Sequence, residues 1–131
     1  MTTVTGHGDL ELTFLAARTA PGQVRMQVEL RLASWGLSAL RDDVTLIASE
    51  LVTNAVEYAP SEREIRVRFT RERRGVLLEV WDSSDAMPMR RSDEEGIGGR
   101  GLPIVEALAA ECGVHPTEPH GKWVWARCQV A

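Results

Sequence analysis

ASELVTNAVEYA, residues 48–59, is the segment on which the fold turns. It sits in a helical pattern over about 39–59, in which Leu40, Val44, Ile47, Leu51 and Ala55 share one face and Pro60 stops the helix. Glu50 and Asn54 are four apart, hence on one face, and Glu57 continues it. Asn offers a neutral oxygen suited to Mg²⁺, a hard cation that accepts few protein ligands and keeps waters and phosphates. Glu can orient or deprotonate a hydroxyl or a water. The same spacing also suits a merely solvated polar pair, so the helix alone leaves both roles open.

Outward from this helix, the rest of the chain alternates between strand and helix patterns. Residues 9–16, DLELTFLA, alternate as a strand, and Ala-Pro-Gly at 20–22 punctuates. QVRMQVELRLASWG then spaces Val24, Val28, Leu32 and Trp35 as a helix, with Gly36 as its stop and Ser38 placed to cap the next helix. REIRVRFT, residues 63–70, puts Ile65, Val67 and Phe69 on one side and Arg66, Arg68 and Thr70 on the other. GVLLEVW at 75–81 follows a short polar link, which predicts an antiparallel hairpin with the RERR run of 71–74 at its turn. An irregular stretch, 82–99, is longer than a connection needs. A helix over about 101–111, a strand near 113–117, a turn at 118–121 and a last strand KWVWARCQV complete the order. Helices gathered on one face of a mostly antiparallel sheet fit it, whereas a doubly wound parallel fold does not.

Composition narrows the class. The chain has 131 residues, which predicts one domain over 9–131 behind a flexible stretch at 1–8. Nineteen acidic against 15 basic residues, a net charge of -4, provide no basic field for nucleic acid. No apolar run reaches the length of a membrane helix, and the first residues lack the pattern of a secretory signal. Cys112 and Cys128 make neither a disulfide framework nor a zinc motif, so a reducing cytoplasm is the expected compartment. His7, His115 and His120 fall in flexible or turn-like contexts, and none is a strong phosphoacceptor or metal candidate.

Two further motifs carry chemistry. In WDSSDAMP, residues 81–88, Asp82 ends an apolar strand, where a carboxylate can accept a hydrogen bond from an exocyclic amine or simply begin a turn. In GIGGRGL, residues 96–102, Gly96, Gly98, Gly99 and Gly101 can turn backbone N–H groups onto phosphate oxygens at the start of a helix, and Arg100 can add charge. The spacing is neither a dinucleotide fingerprint nor a P-loop. The order Asn, Asp, glycine loop describes a nucleotide from all three ends.

Together these segments resemble the histidine kinase-like ATPases of the Bergerat type. ASELVTNAVEYA is similar to the N box, VWDSSD lies where the aspartate-first G1 box falls, and GIGGRGLPIVEALA is similar to the G2 box. LRLASWGL, GRGLPIVEALA and the ending GKWVWA resemble the anti-sigma-factor serine/threonine kinases and their stand-alone actinobacterial relatives, over roughly 10–128. The resemblance implies an α+β two-layer sandwich, a mixed and largely antiparallel sheet covered on one face by helices. It implies ATP and Mg²⁺ as cofactors, with Asn54 on the metal, Glu50 as general base toward a substrate serine and Asp82 reading the adenine amine. Gly96, Gly98, Gly99, Arg100, Gly101 and Leu102 would belong to the phosphate-binding lid and its hinge. Partners would be a sigma factor, an anti-anti-sigma (STAS-like) protein or both, with a homodimer among the assemblies the family forms, and not nucleic acid directly or membrane.

The chain departs from the family pattern at four places. Ser84 stands where a G1 glycine is usual, and Asp85 and Ala86 where the next would fall. Glu57-Tyr58 replaces a pair that is often basic and then histidine, and Trp123 aligns with a threonine often found near adenine. Two functions therefore stand side by side: an ATP-binding anti-sigma-type kinase, and a degenerate module on the same scaffold that regulates a protein partner with weak or no use of ATP.

Overall fold

The computed structural model describes residues 2–4, 9–59, 63–84 and 101–130, with the backbone alone at 2–4, 58, 101 and 102. The elements in chain order are β1 (Thr2–Val4), β2 (Leu10–Leu15), α1 (Ala20–Ser34), a 3-10 turn (Ser38–Leu40) and α2 (Arg41–Tyr58). They continue with β3 (Glu64–Glu72), β4 (Gly75–Asp82), α3 (Gly101–Leu108), β5 (Glu111–Pro116) and β6 (Lys122–Gln129). The strands form one sheet in the order β1-β2-β3-β4-β6-β5. This is the two-layer α+β arrangement anticipated, with one refinement: every described pairing is antiparallel.

Period-2 alternation divides the sheet into two faces. Leu10 and Leu12 of β2, Ile65, Val67 and Phe69 of β3, and Val76, Leu78 and Val80 of β4 are all buried beneath the helices. From the helix layer, α1 buries Val24, Val28 and Leu32, and α2 buries Val44, Ile47, Ala48, Leu51 and Val52. Each large aliphatic side chain removed from water this way contributes about 1.5–3 kcal/mol, so the α2 stripe alone fixes that helix firmly over β4 and β6.

Helix ends differ from the sequence-based expectation in two ways. Ala20, Pro21 and Gly22 form the first turn of α1 instead of a break before it. Proline is tolerated there because a first-turn N–H has no intrahelical acceptor anyway. Ser38 does not cap α2; it opens the 3-10 turn, and the capping position falls to Leu40 without a side-chain hydrogen bond. Asp42 and Asp43 in the first turn complement the helix dipole instead. Gly36 does end α1, at φ +73°. Leu37 N–H donates to Leu32 O at 2.9 Å and Gly36 N–H to Ala33 O at 3.1 Å, the Schellman pattern that needs a left-handed residue.

Thr2–Val4 pair antiparallel with β2 inside the segment expected to be flexible, and the other residues of 1–8 lie outside the described residues. Arg73 and Arg74 form the β3–β4 turn, with Arg74 at φ +69°, so the basic run is the hairpin link the pattern implied. None of the described helices is long and apolar enough to cross a membrane.

Candidate functional site

The site is built where α2 crosses the end of β4. Asn54 is buried at 8% exposure on the side of α2 that faces the sheet, because the apolar residues on either side of it, Leu51 and Ala55, face inward. Asp82, the last residue of β4, falls on the helix-covered face because it continues the alternation of Val76, Leu78 and Val80. Asn54 and Asp82 line one cavity together with Leu51, Ala55, Val80, Lys122 and Val124. Two of the residues singled out from sequence therefore border the same cavity.

Lys122 was missed as a site residue. It opens β6 directly opposite Asp82 in the β4–β6 ladder and is 1% exposed, against 2% for Asp82. Its ammonium donates to Asp82 Oδ1 at 2.8 Å and to the Ser84 carbonyl at 3.0 Å. Ser84 N–H donates to the same Asp82 Oδ1 at 2.8 Å, an Asx turn that folds the chain back over the carboxylate as β4 ends. In GKWVWA the lysine shares its period-2 face with Val124 and Ala126, but nothing local says which face of β6 the helices cover.

Gly121 makes this approach feasible. At φ +90°, a Cβ on it would lie 2.6 Å from the Asp82 carbonyl oxygen and 2.6 Å from the Trp81 ring. Thr117 holds the turn before it: Trp81 Nε1–H donates to Thr117 Oγ1 at 3.0 Å, and Thr117 N–H donates to Gly121 O at 3.0 Å.

Trp123 does not share the face of Asp82. One residue along a strand changes face, so Trp123 points away from the helices, opposite Trp81, with the Arg68 guanidinium 4.3 Å from its ring centroid. Arg66 lies over Trp81 at 4.9 Å and Arg127 over Trp125 at 5.6 Å, so the uncovered face carries three arginine–tryptophan stacks. Leu77, Glu79, His115 and Thr117 join Trp123 and Trp125 in an open hollow there. Burial pushes the Glu79 carboxyl above its usual value, against the opposing pull of Arg68.

The remaining expected residues are placed as follows. Glu50 lies one turn before Asn54 on α2, half-buried, and is not among the residues lining the Asp82 cavity. Glu57, one turn further on, is exposed. Gly96, Gly98, Gly99 and Arg100 lie outside the described residues, as do Asp85 and Ala86. Gly101 opens α3 and Leu102 follows it, the Leu102 side chain lying outside the description. Val105 is buried, with Leu108 packed against the core, and both hold α3 beside α2. Among the described residues no group of three or more His, Cys, Asp or Glu gathers around a possible metal position.

Over residues 14–128 the chain matches the histidine kinase-like ATPase domain, and it belongs to that family. Among solved structures it resembles the crystal structure of the RsbU and RsbW domains of Rv1364c from Mycobacterium tuberculosis, with 24% identity and a TM-score of 0.70. The likeness covers 92% of this chain and 32% of that one, so this chain spans about a third of that protein's length, and the likeness is one of fold. No curated protein matches the chain.

Membership of the histidine kinase-like ATPase family implies ATP, usually with Mg²⁺. The cavity at Asp82 does not fit an adenine ring in the conformation seen. The cavity beside Asp82 measures about 10 Å³, room for about one water molecule. The carboxylate that would read the amine is already engaged by Lys122 and by Ser84 N–H.

Proposed function

We propose that this chain is a regulator of a protein partner, an anti-sigma-factor-like module on the ATPase scaffold, whose nucleotide site is closed at the adenine end. The observation that carries this is the buried Asp82–Lys122 pair in a cavity of about 10 Å³. Family membership supports the scaffold, and the likeness to a structure containing an RsbW domain supports the anti-sigma-like class. The partner we assign is a sigma factor, or the STAS-like protein that would compete with it.

A second reading, the ATP-dependent serine/threonine kinase, is favoured by Glu50 and Asn54 standing one turn apart on α2 while Asn54 borders the Asp82 cavity. Glu50 is the general-base candidate of that reading and Asn54 its Mg²⁺ ligand. The glycine segment that would hold the phosphates lies at 96–101.

Two measurements separate the readings. Calorimetric titration with ATP and Mg²⁺ should give little or no heat for the closed regulator. Strong heat that is lost in Asn54→Ala selects the nucleotide-using reading. Size-exclusion chromatography with candidate sigma factors and STAS-like proteins should yield a stable complex that forms without added ATP. Transfer of phosphate from ATP to a serine of the STAS-like protein, abolished in Glu50→Ala, would select the kinase.

A further inference from the structure

We propose that Lys122 is the specificity-determining residue of the adenine end, an internal substitute for the amino group that Asp82 would otherwise bind. This rests on reading Asp82 as the family's base-reading carboxylate, and it goes further by naming the group that displaces the base.

An exocyclic amine read by a carboxylate presents N–H donors to a buried oxygen in an apolar-walled slot. Lys122 reproduces that contact from within. Its ammonium reaches Asp82 Oδ1 at 2.8 Å, and its second acceptor is the Ser84 carbonyl at 3.0 Å, on the chain just past the strand end. The walls are Leu51, Ala55, Val80 and Val124, the apolar surface a flat ring would use. The lysine stem lies in that slot with the carboxylate it neutralises, and both side chains are almost completely shielded from water, at 1% and 3% exposure.

As it stands, the cavity beside this pair has room for about one water and no ring. Entry requires the ammonium to leave the carboxylate. Breaking a buried pair leaves an uncompensated charge, a penalty that weakens ligand binding by roughly a hundredfold or more. Gly121 permits this approach: a side chain there would collide with the Asp82 carbonyl, so only glycine lets the start of β6 lie this close to the end of β4.

The ligand class that the pair shuts out is an adenine nucleoside or nucleotide. The test is equilibrium titration with adenosine, with guanosine as the control, on the wild type and three variants. Lys122→Ala empties the slot. Lys122→Met fills it with no donor. Lys122→Ala combined with Asp82→Asn removes both buried charges while keeping an acceptor for the amine. The double variant keeps the test valid should Lys122→Ala fail to fold.

Adenosine should bind Lys122→Ala, or the double variant, at least about tenfold more tightly than the wild type. Lys122→Met should show no such gain, and guanosine should gain nothing in any variant. Wild-type binding as tight as that of the emptied variants would overturn the proposal, as would no gain in either of them. Loss of partner binding in the wild type would overturn the regulator function while leaving the adenosine result standing, so the two fail separately.

Discussion

Lys122 and Asp82 are direct partners across the β4–β6 ladder, 40 residues apart in sequence, and their charged ends meet at 2.8 Å beneath α2. The pair has consequences for stability as well as for ligand choice. Replacing Lys122 by Met leaves the Asp82 carboxylate buried without its cation, which costs about 3–5 kcal/mol. Asp82→Asn in the same background should recover most of that loss, because it removes the uncompensated buried charge and leaves only the smaller cost of burying an amide. Urea denaturation of the wild type, the single variant and the double variant measures both steps. A single-variant loss below about 1 kcal/mol, the range of exposed pairs, would contradict a buried bridge.

Gly121→Ala attacks the same corner through the backbone. A Cβ there meets the Asp82 carbonyl oxygen at 2.6 Å, and the φ of +90° is one that side chains rarely adopt. Backbone strain of this kind costs of order 1–3 kcal/mol, and the collision adds to it. The expected result is a midpoint shift in chemical denaturation well above that of Gly22→Ala, where the added methyl meets nothing within 4 Å.

The two thiols should behave differently. Cys112 is exposed and Cys128 is buried. Burial, reinforced by Asp43, pushes the Cys128 thiol up to about 11, so little of it is thiolate at neutral pH and the reagent has no path to it. Ellman's reagent should label Cys112 in the native protein and Cys128 only after denaturant is added, as read by peptide mass spectrometry. Prompt labelling of both would contradict the buried position of β6.

Glu79 gives a pH dependence with a defined sign. Its carboxyl is raised above 4.5 by burial, partly offset by Arg68. A carboxyl with a raised folded value favours folding most when protonated, so its contribution is complete below 4.5 and is lost as pH rises through the folded value. The wild type should therefore lose stability relative to Glu79→Gln across that rise. Parallel stability–pH curves for the two proteins would count against it.

Much of the fold was legible because its periodicities are strong. Ile65, Val67 and Phe69 alternate with arginines, and all three are buried. Val24, Val28 and Leu32 recur at helical spacing, and all three are at 0% exposure. What failed locally has identifiable causes. Pro21 suggested a break, yet a first turn of helix accepts proline. Ser38 matched a capping preference, yet an intervening 3-10 turn separates it from α2.

For the site, the residue types and spacing at 54 and 82 were enough to single out an amide on a helix face and a carboxylate at a strand end as candidates. Their positions follow from local rules, a helix face and a strand alternation, and the sequence by itself determined both. The role of position 122 needed the partner strand. Whether a residue of β6 lies under the helices or on the tryptophan face depends on the β4–β6 register, and a shift by one residue exchanges the faces. That register places Lys122 against Asp82 and Trp123 against Trp81. Only the tertiary structure decided that the carboxylate suited to an adenine amine is met by an ammonium of its own chain, because that contact joins residues 40 positions apart through a register that no local pattern specifies.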